Sequence, residues 1–169
     1  MKLFICSGKR AGKDHAALFL KSDMGLKFQS SSYFAAEEFI FDALKDKYGY
    51  SSIDDCFSDR HNHRSEWYDL IRGYNSEDPT KLSTQIFKTN DCYVGIRDRN
   101  ELAAAKIKWP DCLVLWIDAE GRVESEDERS CTITKDQADI IIENKKSIED
   151  FEEKLVKFSN LIRSYHGGC

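Results

Sequence analysis

Apolar positions along the chain follow two periods. Short apolar runs at residues 3–6, 26–29, 92–96, 113–117 and 138–142 predict β-strands. The segments between them carry helical spacing. A helix is expected over residues 13–22. A longer one is expected over 33–48, with Phe34, Phe41, Leu44 and Tyr48 on one face and acids opposite. Residues 65–72 read as a short helix capped by Ser65 and stopped by Gly73. Asp78 and Pro79 suit the cap and first position of another. Asp98 and Glu101 have the spacing of a capping box, and Trp109-Pro110 ends the helix that follows. In the last helix Ile148, Phe151, Leu155, Phe158 and Ile162 recur at three and four residues, with Ser147 and Asp150 at its start.

The runs at 113–117 and 138–142 are nearly unbroken, as expected of parallel strands buried on both faces. Alternation of strand and helix predicts one α/β domain over residues 1–169, a parallel sheet with helices on both faces. Residues 120–128 are acidic and aperiodic and read as a mobile loop. There is no internal repeat and no low-complexity segment.

Composition narrows the partners. The chain has 169 residues, 33% charged and 41% hydrophobic, with a formal net charge of −5. That charge argues against sequence-independent binding to a nucleic acid polymer. It leaves room for an anionic small molecule held by a local cluster of Arg and Lys. No apolar run approaches the roughly 18 residues of a membrane span, and residues 1–6 are too short for a signal peptide. No membrane partner and a cytoplasmic location are the expectation. The six cysteines form no CxxC pair and no zinc-ligand spacing with histidine, so buried, reduced thiols are expected; Cys169 reads as a tail residue.

The chemistry concentrates in Ser7-Gly8-Lys9-Arg10-Ala11-Gly12-Lys13-Asp14. A strand, a glycine-containing loop and then a lysine at a helix start form the context of a P-loop. Backbone N–H groups there converge on phosphate oxygens and the lysine reaches the β- and γ-phosphates. Two positions depart from G-x-x-x-x-G-K-[ST]: Ser7 stands where the first glycine belongs, and Asp14 stands where the hydroxyl belongs. Asp14 is a hard oxygen ligand suited to Mg²⁺, directly or through water. His61 and His63 lie in a polar stretch and read as loop residues. Asp118 ends a strand, where a water-mediated Mg²⁺ contact is conceivable. Trp67, Trp109 and Trp116 read as packing residues.

Lys9-Arg10-Ala11-Gly12-Lys13-Asp14 resembles the loop G-x-K-R-S-G-K-D of bacteriophage-type deoxynucleoside monophosphate kinases and their phosphomevalonate-kinase-like relatives, in the P-loop nucleoside monophosphate kinase superfamily. In that group Asp in place of Ser/Thr is usual. Three further stretches carry the resemblance in order. Gly95-Ile96-Arg97-Asp98-Arg99-Asn100-Glu101 resembles D-x-R-x-x-N-E, with Gly95 in place of the leading Asp. The run 138–144 followed by Ser147-Ile148-Glu149 resembles the last strand, asparagine turn and final helix. Residues 28–35 resemble the start of the monophosphate-binding region.

The resemblance implies a P-loop NTPase three-layer sandwich with a five-stranded parallel sheet. It implies transfer of the ATP γ-phosphoryl group to a nucleoside monophosphate, with ATP and Mg²⁺ as cofactors, in a monomer or homodimer in the cytoplasm (of a host, if phage-encoded). Ser7, Gly8, Lys9, Arg10, Ala11, Gly12, Lys13, Asp14, His15 and Asn144 would hold the donor, with Asp14 at the metal. Residues from about 30 to 90 would bind the acceptor, and about 119–135 would form a lid. Arg64 is expected on the acceptor phosphate, with Arg60 four residues away on the same helix face. Arg97, at a strand's C-terminal end, is expected on the acceptor or γ-phosphate. Tyr33 would stack on the acceptor base. Arg122, and less strongly Arg129, would come from the lid. Two alternatives stay open: a P-loop kinase for another small phosphorylated metabolite, and a nucleotide-binding protein without transferase activity. Ser7 and Gly95 favour the latter; the ordered set of arginines disfavours it.

Overall fold

The central strand β1 (Leu3–Ser7) is buried along its whole length. In the computed structural model, which describes residues 1–8, 10–123 and 131–166, it lies between β3 (Cys92–Val94) and β4 (Leu113–Asp118). β2 (Phe28–Ser30) adds beside β3 and β5 (Ile140–Glu143) beside β4. The five strands are all parallel, in the order β2-β3-β1-β4-β5. Pleating sends alternate side chains to opposite faces. Leu3 and Ile5 enter a core beneath α1 (Lys13–Met24) and α8 (Ile148–His166), with Phe151, Leu155, Phe158 and Ile162 buried there. Phe4 and Cys6 enter the core on the other face with α6 (Lys81–Ile86) and α7 (Arg99–Lys108). The result is the expected three-layer α/β sandwich.

A third apolar cluster sits outside the sheet. It joins α2 (Ser31–Ala35), α3 (Phe41–Tyr48), α4 (Ile53–Asp59) and α5 (Arg64–Tyr74) through Ala35, Ile40, Leu44, Cys56 and Trp67. These helices fill the stretch between β2 and β3.

Several local expectations are corrected. The helix expected over 33–48 begins at Ser31 and contains a π-helical turn, Ala36–Ile40, before α3. That turn inserts an extra residue into the helical repeat. Phe34 therefore packs against the β1 side core, while Phe41, Leu44 and Tyr48 pack into the third cluster. The four residues do not share one face.

The helix expected at 65–72 starts at Arg64 with His63 at its cap and runs through Gly73 to Tyr74. Asp78 does not cap α6; Thr80 does, and the Asp78 carboxylate instead accepts from Thr80 N and Oγ1 in a turn. Asp98 caps α7, accepting from Asn100 N and Glu101 N at 2.7 and 3.1 Å. Glu101 gives no reciprocal bond, because its side chain is buried. Ile148 is exposed, although the rest of its stripe is buried. Cys6, Cys56, Cys92 and Cys112 are buried thiols outside any disulfide, and Cys131 is half-buried. Among the described residues no helix is long and apolar enough to cross a membrane.

Candidate active site

The loop leaves the C-terminal end of β1, the end at which ligands bind in open parallel sheets. Arg10 has φ +57° and Gly12 φ +104°. Left-handed residues of this kind build backbone concavities for anions. Gly12 caps α1 with no side-chain hydrogen bond, so the first-turn N–H groups of α1 keep their donor capacity. A Cβ on Gly12 would come within 2.5 Å of Asn144 Nδ2.

That asparagine follows β5 and is buried; its Nδ2 donates to Ala11 O at 2.9 Å. Arg122 Nε donates to Asn144 O at 2.8 Å and Nη2 to Ala11 O at 3.5 Å. Asn144 and Arg122 thus brace the loop from behind. Ser7 is buried, and its Oγ donates to Gly8 O at 2.8 Å. Lys13 Nζ lies 3.1 Å from Asp14 Oδ2. His15 turns away, its ring meeting Glu152 Oε1 at 2.9 Å and Phe151 at 5.8 Å between centroids.

In front of the loop lies a cavity of about 700 Å³. Arg10, Lys13 and Asp14 line it from the loop. Arg60, Arg64 and Arg97 line it from three other places: the C-cap of α4, the first turn of α5, and the stretch after β3. Burial holds the Arg60 guanidinium below its usual value; Asp14 pushes it up, and Arg64 and Arg97 push it down again. Asp14, Arg64 and Arg97 thus each lie within electrostatic reach of Arg60. Arg60 also stacks on Phe57, its guanidinium carbon 3.7 Å from the ring centroid, and donates to Phe57 O. Arg60 and Arg64 do not share a helix face: a break between α4 and α5 separates them, and the fold brings them together.

Other expected site residues lie elsewhere. Tyr33 is not in the cavity wall; its hydroxyl donates to Asp54 at 3.0 Å and its ring packs edge-on against Phe57. Its neighbours Ser30, Ser31 and Ser32 do line the cavity. His61 lines the cavity and His63 stacks on Tyr48. Asp118 is buried and lies 2.9 Å from Lys145. Burial raises its carboxyl, but the Glu120 N–H and Lys145 outweigh that and hold it below the usual range. Lys9, and Arg129 within the expected lid, lie outside the described residues.

The sequence reading missed the apolar part of the cavity lining: Phe57, Trp67, Tyr68 and Ile71. The available signal was Ser52 ahead of Asp54 and Asp55, a helix start for α4; the Ser52 hydroxyl accepts from Asp55 N.

Among the described residues no group of three His, Cys, Asp or Glu could hold a metal. Mg²⁺ bound with a nucleotide does not need one, since it takes one or two carboxylates and otherwise phosphates and waters. Asp14 beside Lys13 fits that requirement.

No family model matches the chain, and no curated protein matches it in sequence. Solved structures do. A dephospho-CoA kinase from Campylobacter jejuni aligns at TM-score 0.55 and 16% identity, covering 98% of this chain and 100% of that one. A sugar kinase from Janibacter sp. HTCC2649 aligns at TM-score 0.50 and 14% identity, covering 94% of each. The fold is that of the P-loop kinases.

Proposed function

We propose that this chain transfers the γ-phosphoryl group of ATP to a nucleoside monophosphate, with deoxynucleotides as the favoured acceptors. One observation carries the reading. Arg60, Arg64 and Arg97, from three separate elements, share a cavity with Lys13 of the loop. A protein that only bound a nucleotide through the loop would have little use for three further arginines in the same cavity. An acceptor that itself carries a phosphate needs them.

The chemistry asks little of the protein beyond placement and charge. An acceptor phosphate oxygen attacks Pγ, the bond from Pγ to the β,γ-bridging oxygen breaks, and ADP leaves. Lys13 and the α1 amides would hold the donor phosphates. The arginines would fix the acceptor phosphate and offset its repulsion from the γ-phosphate; charge-assisted bonds of this kind also orient. Asp14 would hold Mg²⁺, which when bound supplies further neutralisation of the β- and γ-phosphates. No general base is required, which agrees with the histidines lying in structural roles or at the rim.

The test is a coupled ADP-release assay across the common ribo- and deoxyribonucleoside monophosphates. Turnover dependent on one of them is expected. ATP binding without turnover on any of them contradicts the proposal, and turnover only with a non-nucleotide phosphate transfers it to another metabolite kinase. Lys13→Ala should lower kcat by about 10²–10³-fold, a loss typical of removing a charge-stabilising donor, with its circular dichroism spectrum unchanged. A variant with near-normal kcat would contradict the loop assignment.

A further inference from the structure

Arg64 and Arg97 belong to different parts of the molecule. Arg97 follows β3 and is held from the sheet side, where its carbonyl accepts from Thr132 N at 2.8 Å. Arg64 opens α5, a helix seated on the third apolar cluster through Trp67 and Leu70. Two cations that hold one phosphate must keep a set separation, because charge-assisted hydrogen bonds form only at about 2.7–2.9 Å. Apolar packing is non-directional and does not by itself set that separation.

One hydrogen bond spans the two parts close to both arginines. Tyr68 lies one turn after Arg64 on α5, at the i+4 spacing that puts two side chains on one helix face. Both residues line the cavity. The Tyr68 hydroxyl donates to Asp98 Oδ2 at 2.8 Å, and Asp98 is the residue next to Arg97. The Asp98 carboxylate is used twice. Its Oδ1 accepts from Asn100 N and Glu101 N at the start of α7, and its Oδ2 accepts from α5. The helix start fixes the orientation of the carboxylate, so the bond to Tyr68 registers α5 against α7. Other ties of α5 lie elsewhere. Glu66 accepts from Lys47 and Tyr48 of α3 at 2.7 and 2.6 Å, within the third cluster. Ile71 and Tyr74 pack against the sheet-side core, in the half of α5 away from Arg64. Burial, and next the bond to Asp98, push the Tyr68 hydroxyl above its usual value, so it remains a donor across the neutral range.

We propose that Tyr68 is a positioning residue: through Asp98, its hydroxyl sets Arg64 against Arg97 for a single acceptor phosphate. The proposal rests on the monophosphate-kinase reading and adds to it a residue that acts on the acceptor through the two arginines.

The test is steady-state kinetics of the full chain with the nucleoside monophosphate that wild type turns over. Tyr68→Phe removes the hydroxyl and keeps the ring with its packing. It is expected to lower kcat/KM for the acceptor by about tenfold, the size of one hydrogen bond to a charged group, and to leave KM for ATP unchanged. Ribose 5-phosphate keeps the phosphate and lacks the base. It is expected to compete with the nucleotide, and its inhibition constant should rise in the variant by the same factor. A purely structural hydroxyl would lower the urea midpoint and move both substrates together. Parallel losses for acceptor and ATP, or no loss for either, overturn the proposal. So does a loss confined to the nucleotide with ribose 5-phosphate unaffected, since Tyr68 would then touch the nucleoside, and so does a failure of ribose 5-phosphate to compete in wild type. Wild-type turnover separates the two failures. With turnover present, only the role of Tyr68 is lost; with none on any nucleoside monophosphate, the kinase reading falls first and this proposal with it.

Discussion

Gly12 decides whether the loop can exist. Its φ of +104° is a conformation that L side chains rarely adopt, and an added Cβ would drive into the Asn144 amide at 2.5 Å. That amide holds Ala11, so the displacement would pass into the loop. Gly12→Ala should therefore lower kcat/KM for ATP by about 10²-fold or more, the cost of misplacing groups by an ångström. Steady-state kinetics at varied ATP check this; an unaffected kcat/KM would show that the loop does not hold the donor. Gly95 follows the same logic. The motif that this stretch resembles has Asp there, but the backbone has φ +95° and a Cβ would sit 3.2 Å from Ser31 Oγ and 3.4 Å from Lys13 Cε. The glycine is what lets β3 end close to the lysine. Both glycines were visible in the sequence, and Gly12 was given its role from motif context. The reason for Gly95 was not visible, because it depends on a serine 64 residues away that donates to Gly95 O.

At the scale of elements, strong periodicity was read correctly and irregular helices were not. β1, β4 and α8 are long or unbroken enough that one period dominates. Phe151 illustrates the gain: it is fully buried between α8 and the sheet, beside the ring of His15. Phe151→Ala should cost about 3–5 kcal/mol, the usual price of emptying an aromatic site in a core. Urea unfolding would measure it; a loss below about 1 kcal/mol would mean that α8 is not seated on the core as described. The stretch between β2 and β3 was harder. A π-helical turn moves Phe34 off the face of Phe41, and α4 and α5 are short helices broken between Asp59 and Arg64. Helical spacing across such a break carries no meaning. Arg60 and Arg64 reach one cavity from either side of that break, not from a shared helix face.

For the whole molecule, a buried acid should leave a mark on stability. Glu101 holds its proton up to about pH 8 in the folded chain, against an ordinary carboxylate value of 4.5. Between those values the native state binds more protons than the unfolded one, so this group's contribution falls as pH rises. Glu101→Gln removes the titration. Its unfolding midpoint relative to wild type should rise between about pH 5 and pH 8 and level off above; a parallel pair of curves would show that the carboxyl is ionised in the native state. The sheet order and the two-sided core could be anticipated from the βαβ pattern. The cavity's aromatic wall could not, since it is assembled from α4 and α5, which only the third dimension sets opposite β3 and α7.

The central claim is that phosphate passes from ATP to a second phosphate held by Arg60, Arg64 and Arg97. Its most direct test follows the label from γ-³²P-ATP in the presence of each nucleoside monophosphate, with products separated by chromatography. The proposed chemistry predicts label in the matching nucleoside diphosphate, in amounts equal to the ADP formed. Label released only as inorganic phosphate, or retained in ATP with every acceptor, would contradict it.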